Sequence, residues 1–336
     1  MKIEFPIHRK NGLSLNETQK EAINLLNEKI YFNKIKIEIV THCFCGSENF
    51  SVLSELDRFG LPFGTKICKE CGLINQTIRL HKDSFSEFYQ NIYWRLVKGA
   101  NPDFKTPLSH NQSFDFLVKK IGKYFSHQVK IFEVGCGSGE KILGISNQLR
   151  ELKFECELFG CDYSTQALEI AKNKNLKVVN GGMSELKKFG KADILILSHV
   201  FEHLPDLHQA LEEIKNLIHS KSIIYIEVPG VKDLINKDEY LYDYQDYTVI
   251  AHTYNFSLTT LRNVLSSVGF ECLYGDEFVR AIFRSSAKDS DFINDHDNII
   301  QSLNTLYLKY LEKINTNKFL FFNYCKNLIK AIINKK

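Results

Sequence analysis

The chain has 336 residues, of which 44% are hydrophobic and 25% charged, proportions that exclude wholesale disorder; the length suggests about two domains. Forty-three Lys and Arg against 40 Asp and Glu leave a net charge of +3, too small to imply a nucleic-acid partner on electrostatic grounds. The opening segment MKIEFPIHRKNG lacks an apolar signal core, no stretch reaches the ~20 apolar residues of a membrane span, and nine cysteines without a signal argue against a disulfide framework, so a cytoplasmic location is expected.

Four cysteines crowd the N-terminal quarter: Cys43 and Cys45 in THCFCGS, and Cys68 and Cys71 in ICKECGL. Each pair is followed by a glycine and a 22-residue loop separates the pairs, the pattern of two knuckles around a tetrahedral structural zinc ion. The first pair is C-x-C and not C-x-x-C, which makes His42 an alternative ligand to Cys43. Small buried hydrophobes, or a redox pair at Cys68 and Cys71, are the competing readings. A metal would stand in for the core that so short a segment struggles to build. In the next run, SEFYQNIYWRLVKGANPDF, Phe88, Tyr89, Tyr93 and Trp94 fall near helical spacing and predict a packed face, with a lid over a ligand as the alternative. Gly99 and Pro102 then mark a junction, so residues 1–104 are expected to form the first domain.

From about residue 113 the pattern alternates. FDFLVKKIGKYF predicts a helix with Phe114, Leu117, Val118, Ile121 and Phe125 on one stripe. KIFEVG (130–135), ELFGCD (157–162), LKVVNG, ADILILS and SIIYIEV read as strands, with helices at EKILGISNQL (140–149) and TQALEIAKNK. A further helix is expected to begin at Pro205 in PDLHQALEEIKNLIHS, with Asp206 at the positive end of its dipole. Strands apolar throughout and alternating with helices mean a parallel sheet covered on both faces, with a ligand crevice at the carboxyl ends of the strands.

The first of these strands runs into EVGCGSGE, where Gly135, Gly137 and Gly139 form a turn that lets backbone approach a ligand. A dinucleotide fingerprint would need a glycine at Glu140. Glu133 would repel phosphate but could help hold a cationic amino-acid group, and Asp162, ending the next strand, is placed to accept hydrogen bonds from ribose hydroxyls. Over about residues 113–285 this constellation resembles the class I S-adenosylmethionine (SAM)-dependent methyltransferases. EVGCGSGE is similar to that family's first motif, GCDYS (with Asp162 and Tyr163) to its second, NGGMSEL to the region after the third strand, and DILILSHVFEHLPD (with Ser198) to the fourth. FSLTTLRNVLSSVGFEC resembles the last helix and the strand after it. The resemblance implies a Rossmann-like α/β sheet of seven strands, the last antiparallel and supplied by EFVRAIFRSS, in a SAM-binding domain over 105–288. It also implies that Met183 and Ser184 meet the adenine. DRFGLPFGTKICKECGL and FYQNIYWRL resemble the zinc-binding segment of bacterial methyltransferases of polysaccharide and modified-sugar synthesis, which implies a structural zinc and a carbohydrate acceptor.

A sugar hydroxyl is a poor nucleophile, so an oxygen-directed enzyme needs a base near the methyl group. His199 at the end of the fourth strand is preferred as base or substrate contact, His203 lies four residues on, and His252 stands on a loop expected to overhang the site. Glu202 is a structural partner for His203, or with it two ligands of a divalent metal, too few to define a site. Within DEYLYDYQDYTVIAHTYNF (238–256), Tyr240, Tyr242, Tyr244 and Tyr247 could stack on sugar faces or pack a contact, while Asp243 and Asp246 would oppose a nucleic acid. A helical tail over 289–336 carries Lys313, Lys318, Lys326, Lys330, Lys335 and Lys336 with no acidic residue after Glu312; it could lie on an anionic membrane or pack on the main domain or a partner chain. The expected activity is O-methylation of a sugar, with C-methylation of a nucleotide-linked keto-sugar, a non-catalytic SAM-binding zinc-ribbon adaptor and a nucleotide-dependent oxidoreductase as alternatives. A nucleic-acid methyltransferase is disfavoured by the near-neutral charge and by the lack of an Asn-Pro-Pro-Tyr-type site after the fourth strand.

Overall fold

The computed structural model describes residues 13–100, 113–121, 124–125, 127–287 and 291–333; the side chains of 113–115 and 317–333 lie outside the description. So do Pro102 and the 104/105 junction, the side chain of Phe114, and the side chains of the tail lysines beyond Lys313.

The N-terminal region opens with α1 (Glu17–Tyr31), which Asn16 and Gln19 start with a reciprocal capping box. Strand β1 (Ile37–Ile39) pairs antiparallel with β5 (Ile78–Leu80), and between them β2 (Phe50–Ser54), β3 (Thr65–Cys68) and β4 (Ile74–Gln76) form an antiparallel meander. Helix α2 (Phe85–Asn91) and a π-helical turn at Trp94–Lys98 follow.

Helix α3 (Ser113–Ile121) buries Leu117, Val118 and Ile121, the inner part of the predicted stripe. The chain then alternates: β6 (Gln128–Val134), α4 (Glu140–Glu151), β7 (Glu155–Asp162), α5 (Thr165–Asn173), β8 (Lys177–Asn180), β9 (Ala192–Ser198), α6 (Leu207–Leu217) and β10 (Ile218–Glu227). After the short α7 (Tyr244–Tyr247) and β11 (Tyr254–Asn255) come α8 (Leu258–Ser266), β12 (Phe270–Gly275), β13 (Arg280–Ser285) and the long α9 (His296–Ile333). The main sheet has seven strands in the order β12-β13-β10-β9-β6-β7-β8, with the last strand, β13, antiparallel to both its neighbours. Its centre is apolar on both faces because both are covered: Phe132, Leu195, Leu197 and Ile224 face one core, and Ile131, Ile194, Ile196 and Ile223 the other. From β6 the chain moves outward to β7 and β8 and returns through β9 on the far side, so the carboxyl ends of β6 and β9 flank the crevice where such sheets take ligands.

Two local expectations are corrected. Helix α6 begins at Leu207, not Pro205, because Asp206 is its N-cap: one carboxylate oxygen accepts from the amides of His208 (2.9 Å) and Gln209 (3.1 Å), leaving Pro205 outside. It also stops short of its predicted end, since Ile218–Ser220 already run in β10, where Ile218 pairs with Ala192 ahead of a bulge.

The N-terminal meander is completed from the other end of the chain. Strand β11 pairs antiparallel with β4, giving a four-stranded sheet β11-β4-β3-β2. The start of α9 rests on the second cysteine knuckle, where a Cβ on Gly72 would lie 2.7 Å from backbone atoms of Asp295 and His296.

Candidate active site

A cavity of about 640 Å³ lies over the carboxyl ends of β6, β7 and β9 and is roofed by Tyr89, Tyr93 and Trp94 of the N-terminal region. Its floor is the glycine turn. Gly135, Gly137 and Gly139 all have left-handed backbone (φ +66°, +52° and +81°), and a Cβ would fall 2.6 Å from Val200 at the first and 2.5 Å from Leu176 at the third. At Gly137 a Cβ would meet open space, so backbone is bared to the cavity there. Asp162 holds the turn: its Oδ2 accepts from the Gly137 amide at 2.9 Å and its Oδ1 from Ser164 at 2.8 Å. Each of these oxygens keeps a second lone pair, and Asp162 lines the cavity with Tyr163, Met183 and Ser184. The Tyr163 ring stacks nearly parallel to Tyr89, with centroids 6.2 Å apart.

Glu133 is buried at the same wall, where its Oε2 accepts from the Ile142 amide at 3.2 Å. Burial pushes its carboxyl up to about 8, against the opposing charge of Lys141. Ser198, expected to contact cofactor, donates its hydroxyl to Glu227 Oε2 at 2.7 Å and lies within hydrogen-bonding reach of Lys141, which itself pairs with Glu227 at 2.7 Å. Burial pushes Glu227 up, but Lys141 and His199 outweigh it and hold the carboxyl below the usual range. Lys141 and Glu227 were not singled out from sequence; the signal available was a lysine next to Glu140 in the first turn of the helix after the glycine turn.

The three histidines are placed differently. His199 lines the cavity in left-handed backbone (φ +54°) with its side chain 52% exposed, and its amide donates to the Glu227 carbonyl at 2.7 Å. His203 also lines the cavity but is buried, and its Nδ1 lies 2.8 Å from the Ala251 carbonyl. A carbonyl only accepts, so Nδ1 carries the proton and Nε2 keeps a free lone pair. Burial lowers the imidazole's proton affinity, against the neighbouring charge of Glu202. His252 does not overhang the cavity as expected: it packs behind His203, ring centroids 4.9 Å apart, with an Nδ1 that makes no hydrogen bond among the described residues. Burial, with His203 and Arg58 nearby, pushes it well below the ordinary histidine value. Glu202 lies beneath, 1% exposed; neither carboxylate oxygen accepts a hydrogen bond among the described residues, and imidazole nitrogens of His199 and His203 lie 3.6 and 3.7 Å away. The donor atoms of Glu202, His203 and His252 lie within 4.8 Å of one another, so His252 supplies the third member that the Glu202–His203 pair lacked.

The first aromatic run takes largely its alternative role, and of the two roles open to the second the packed one holds. Phe88 is buried as predicted, but Tyr89, Tyr93 and Trp94 line the cavity. Tyr244 and Tyr247 are buried away from it, their hydroxyls bonded to Thr65 (3.0 Å) and donated to the Pro229 carbonyl (2.8 Å), while Tyr242 donates to Asp238 (2.6 Å). Asp243 and Asp246 are buried with them, and Tyr240 packs edge-on against Tyr247.

Outside the cavity, all four N-terminal cysteines converge. Cys43 and Cys71 sulfurs are 3.5 Å apart, Cys45 and Cys68 sulfurs 3.6 Å, and the four lie within 4.8 Å of one another. The knuckle glycines Gly46 and Gly72 have φ of +85° and +81°, and the Leu73 amide donates to Cys71 Sγ at 3.4 Å. The neighbouring Cys43 and Cys71 hold the Cys68 thiol well below the usual range, and Cys43 is pushed up to about 12, chiefly by Cys68. His42 takes no part in the cluster: its exposed ring pairs through Nε2 with Glu48 at 2.7 Å.

The family model described as "Methyltransferase domain" matches residues 104–274, half of the chain, including the glycine turn, Asp162 and the β9 motif. The chain belongs to that family. It is a class I SAM-dependent methyltransferase, and its glycine turn, bare at Gly137 and bordered by Asp162 and the buried carboxyl group of Glu133, could hold the nucleoside and amino-acid ends of SAM. Solved structures similar to this methyltransferase include an S-adenosylmethionine-dependent methyltransferase from Clostridium acetobutylicum ATCC 824, at 14% identity over 60% of this chain and 99% of that one, with a TM-score of 0.40. Another is the plantazolicin methyltransferase BpumL in complex with a monoazolic desmethylPZN analog and SAH, at 17% identity over 59% of this chain and 76% of that one, with a TM-score of 0.40. A third, described under the conversion of a disulfide bond into a thioacetal group during echinomycin biosynthesis, has 15% identity over 65% of this chain and 99% of that one, with a TM-score of 0.43. No helix among the described residues is long and apolar enough to cross a membrane.

Proposed function

We propose that this methyltransferase acts on a hydroxyl of a carbohydrate or related small molecule in surface-polysaccharide or modified-sugar synthesis, with His203 as general base. The observation that carries this reading is the buried His203, which lines the same cavity as the glycine turn and whose Nδ1–H is bonded to Ala251, so that Nε2, 3.7 Å from Glu202, keeps its lone pair. Bound SAM supplies an electrophilic methyl group. His203 Nε2 takes the acceptor hydroxyl's proton, and Glu202, 3.7 Å from it, stabilises the imidazolium that results. Tyr89, Tyr93 and Trp94 offer ring faces for a sugar and exclude water, and His199 is the more exposed acceptor contact. His252 braces His203 from behind. Glu133 and Asp162, with Gly135, Gly137, Gly139, Tyr163, Met183 and Ser184, form the cofactor side, and Ser198 acts there through Lys141 and Glu227.

The Cys43–Cys45–Cys68–Cys71 set is read as a structural zinc site. Sulfur separations of 3.5 and 3.6 Å are close to the edge of about 3.8 Å for a tetrahedron with ~2.3 Å Zn–S bonds. The working division is 1–104 for the zinc-bearing unit, 105–288 for the SAM domain and 289–336 for the tail. The tail's basic character makes contact with an anionic membrane, and so with a lipid-linked glycan, part of the same proposal. A cytoplasmic site of action goes with it.

The test is formation of S-adenosylhomocysteine (SAH) in the presence of nucleotide sugars and their keto derivatives, with zinc measured in the same sample. Turnover with a sugar acceptor and one zinc per chain is expected. Turnover confined to peptide or aromatic acceptors would overturn the carbohydrate assignment.

A further inference from the structure

The carbonyl that sets the tautomer of His203 belongs to an irregular segment, residues 248–253, and the N-terminal region grips that segment from two sides. On one side, Asp57 is fully buried: its Oδ1 accepts from the amides of Phe59 (2.9 Å) and Leu61 (3.0 Å), and its Oδ2 from the amide of Ile250 (2.9 Å). The next residue, Arg58, donates its amide to the Thr248 carbonyl at 3.1 Å. On the other side, buried Gln76 at the end of β4 donates its side-chain amide to the carbonyls of Ile250 (2.9 Å) and Val249 (3.3 Å), and its backbone amide to Thr253 (3.0 Å). Ile250 is thus held at both its amide and its carbonyl, one residue before the carbonyl that bonds His203.

We propose that Asp57 and Gln76 are positioning residues for methyl transfer: acting through Ile250 and Ala251, they hold His203 in the Nδ1–H tautomer, with Nε2 directed to the cavity. The proposal rests on the reading of His203 as the base. It gives the N-terminal region a part in the chemistry separate from its cysteine cluster. Neither residue lies in the cofactor wall, and the covalent chain offers no shortcut, since Asp57 and Ile250 are 193 positions apart.

In Asp57→Asn the amide nitrogen would face the Ile250 N–H, so the segment loses one hold while the carboxamide oxygen can still serve Phe59 and Leu61. In Gln76→Ala the hold on the Ile250 carbonyl is lost instead. The experiment is a proton–nitrogen correlation spectrum of the imidazoles in the full-length, histidine-labelled protein. His203 is assigned by the signals missing from His203→Asn, and SAH binding is measured by calorimetry on each sample. In the wild type His203 should show the pure Nδ1–H pattern. In both variants that pattern should be lost to a mixture of tautomers while SAH affinity stays unchanged. If Asp57→Asn does not fold, Gln76→Ala alone decides. An Nε2–H pattern in the wild type, the wild-type pattern persisting in the variants, or a parallel loss of SAH affinity would each overturn the proposal. Full methyl transfer by His203→Asn would instead overturn the base assignment and leave the tautomer result standing, so the two ideas fail separately.

Discussion

Two tyrosine-rich runs of similar composition do opposite work here. In 85–94, Tyr89 and Tyr93 stand at the cavity, and among the described residues neither hydroxyl has a protein partner. In 240–254, the hydroxyls of Tyr244, Tyr247 and Tyr254 are bonded to Thr65, Pro229 and Pro205, and the rings are core. The difference lies in whether a tyrosine's polar end is already satisfied. A ring with a bonded hydroxyl has been used by the fold, whereas a ring at a cavity with a free hydroxyl remains for a ligand. Pattern along the chain cannot report this, since these partners come from β3, from Arg79 of β5 and from the loops after β9 and β10.

The largest expected effect that would break this contrast is Tyr247→Ala. Removing a fully buried aromatic ring should cost about 3–5 kcal/mol of unfolding free energy, measured in urea, whereas Tyr93→Ala should cost clearly less. Next in size is a pH effect of two buried carboxyl groups, one in the cavity wall and one outside it. Burial raises Glu133 from 4.5 to about 8 and Asp57 from 3.8 to about 7, so the folded state holds protons that the unfolded chain has released. Stability from these groups is full below about pH 4 and is lost as pH rises through 7 to 8. Glu133→Gln should therefore be more stable than wild type at pH 8 by on the order of a few kcal/mol, with weaker SAM binding by calorimetry. Tyr247→Phe removes one hydrogen bond to a backbone carbonyl and should cost about 1 kcal/mol. Smallest in stability, Tyr89→Phe should stay within about 0.5 kcal/mol of wild type while raising the acceptor's KM. Equal destabilisation by Tyr89→Phe and Tyr247→Phe would dissolve the distinction.

The sheet was legible because its determinants are local. Short apolar runs such as ADILILS, set between helical patterns, read as strands covered on both faces, and a turn containing Gly135, Gly137 and Gly139 demands backbone that other residues avoid. The cysteine cluster was legible for the same reason, through paired spacing and knuckle glycines. His203 and His252 were visible as candidates, but their ranking was not. What separates them is a carbonyl 48 residues from His203 and the packing of one ring behind the other. Strand β11 and the holds by Asp57 and Gln76 are longer-range still, and no periodicity encodes them. Helix α6 was misplaced by two residues because Pro205 and Asp206 both suit a helix start, and only the cap hydrogen bonds decide between them.

The measurement that bears most directly on the account is the rate of SAH formation by wild type and His203→Ala with a sugar acceptor, alongside the affinity of each for SAH. The account predicts a loss of about 10²–10⁴-fold in rate with SAH affinity preserved. An unchanged rate in His203→Ala would contradict it and move the search for the base to His199.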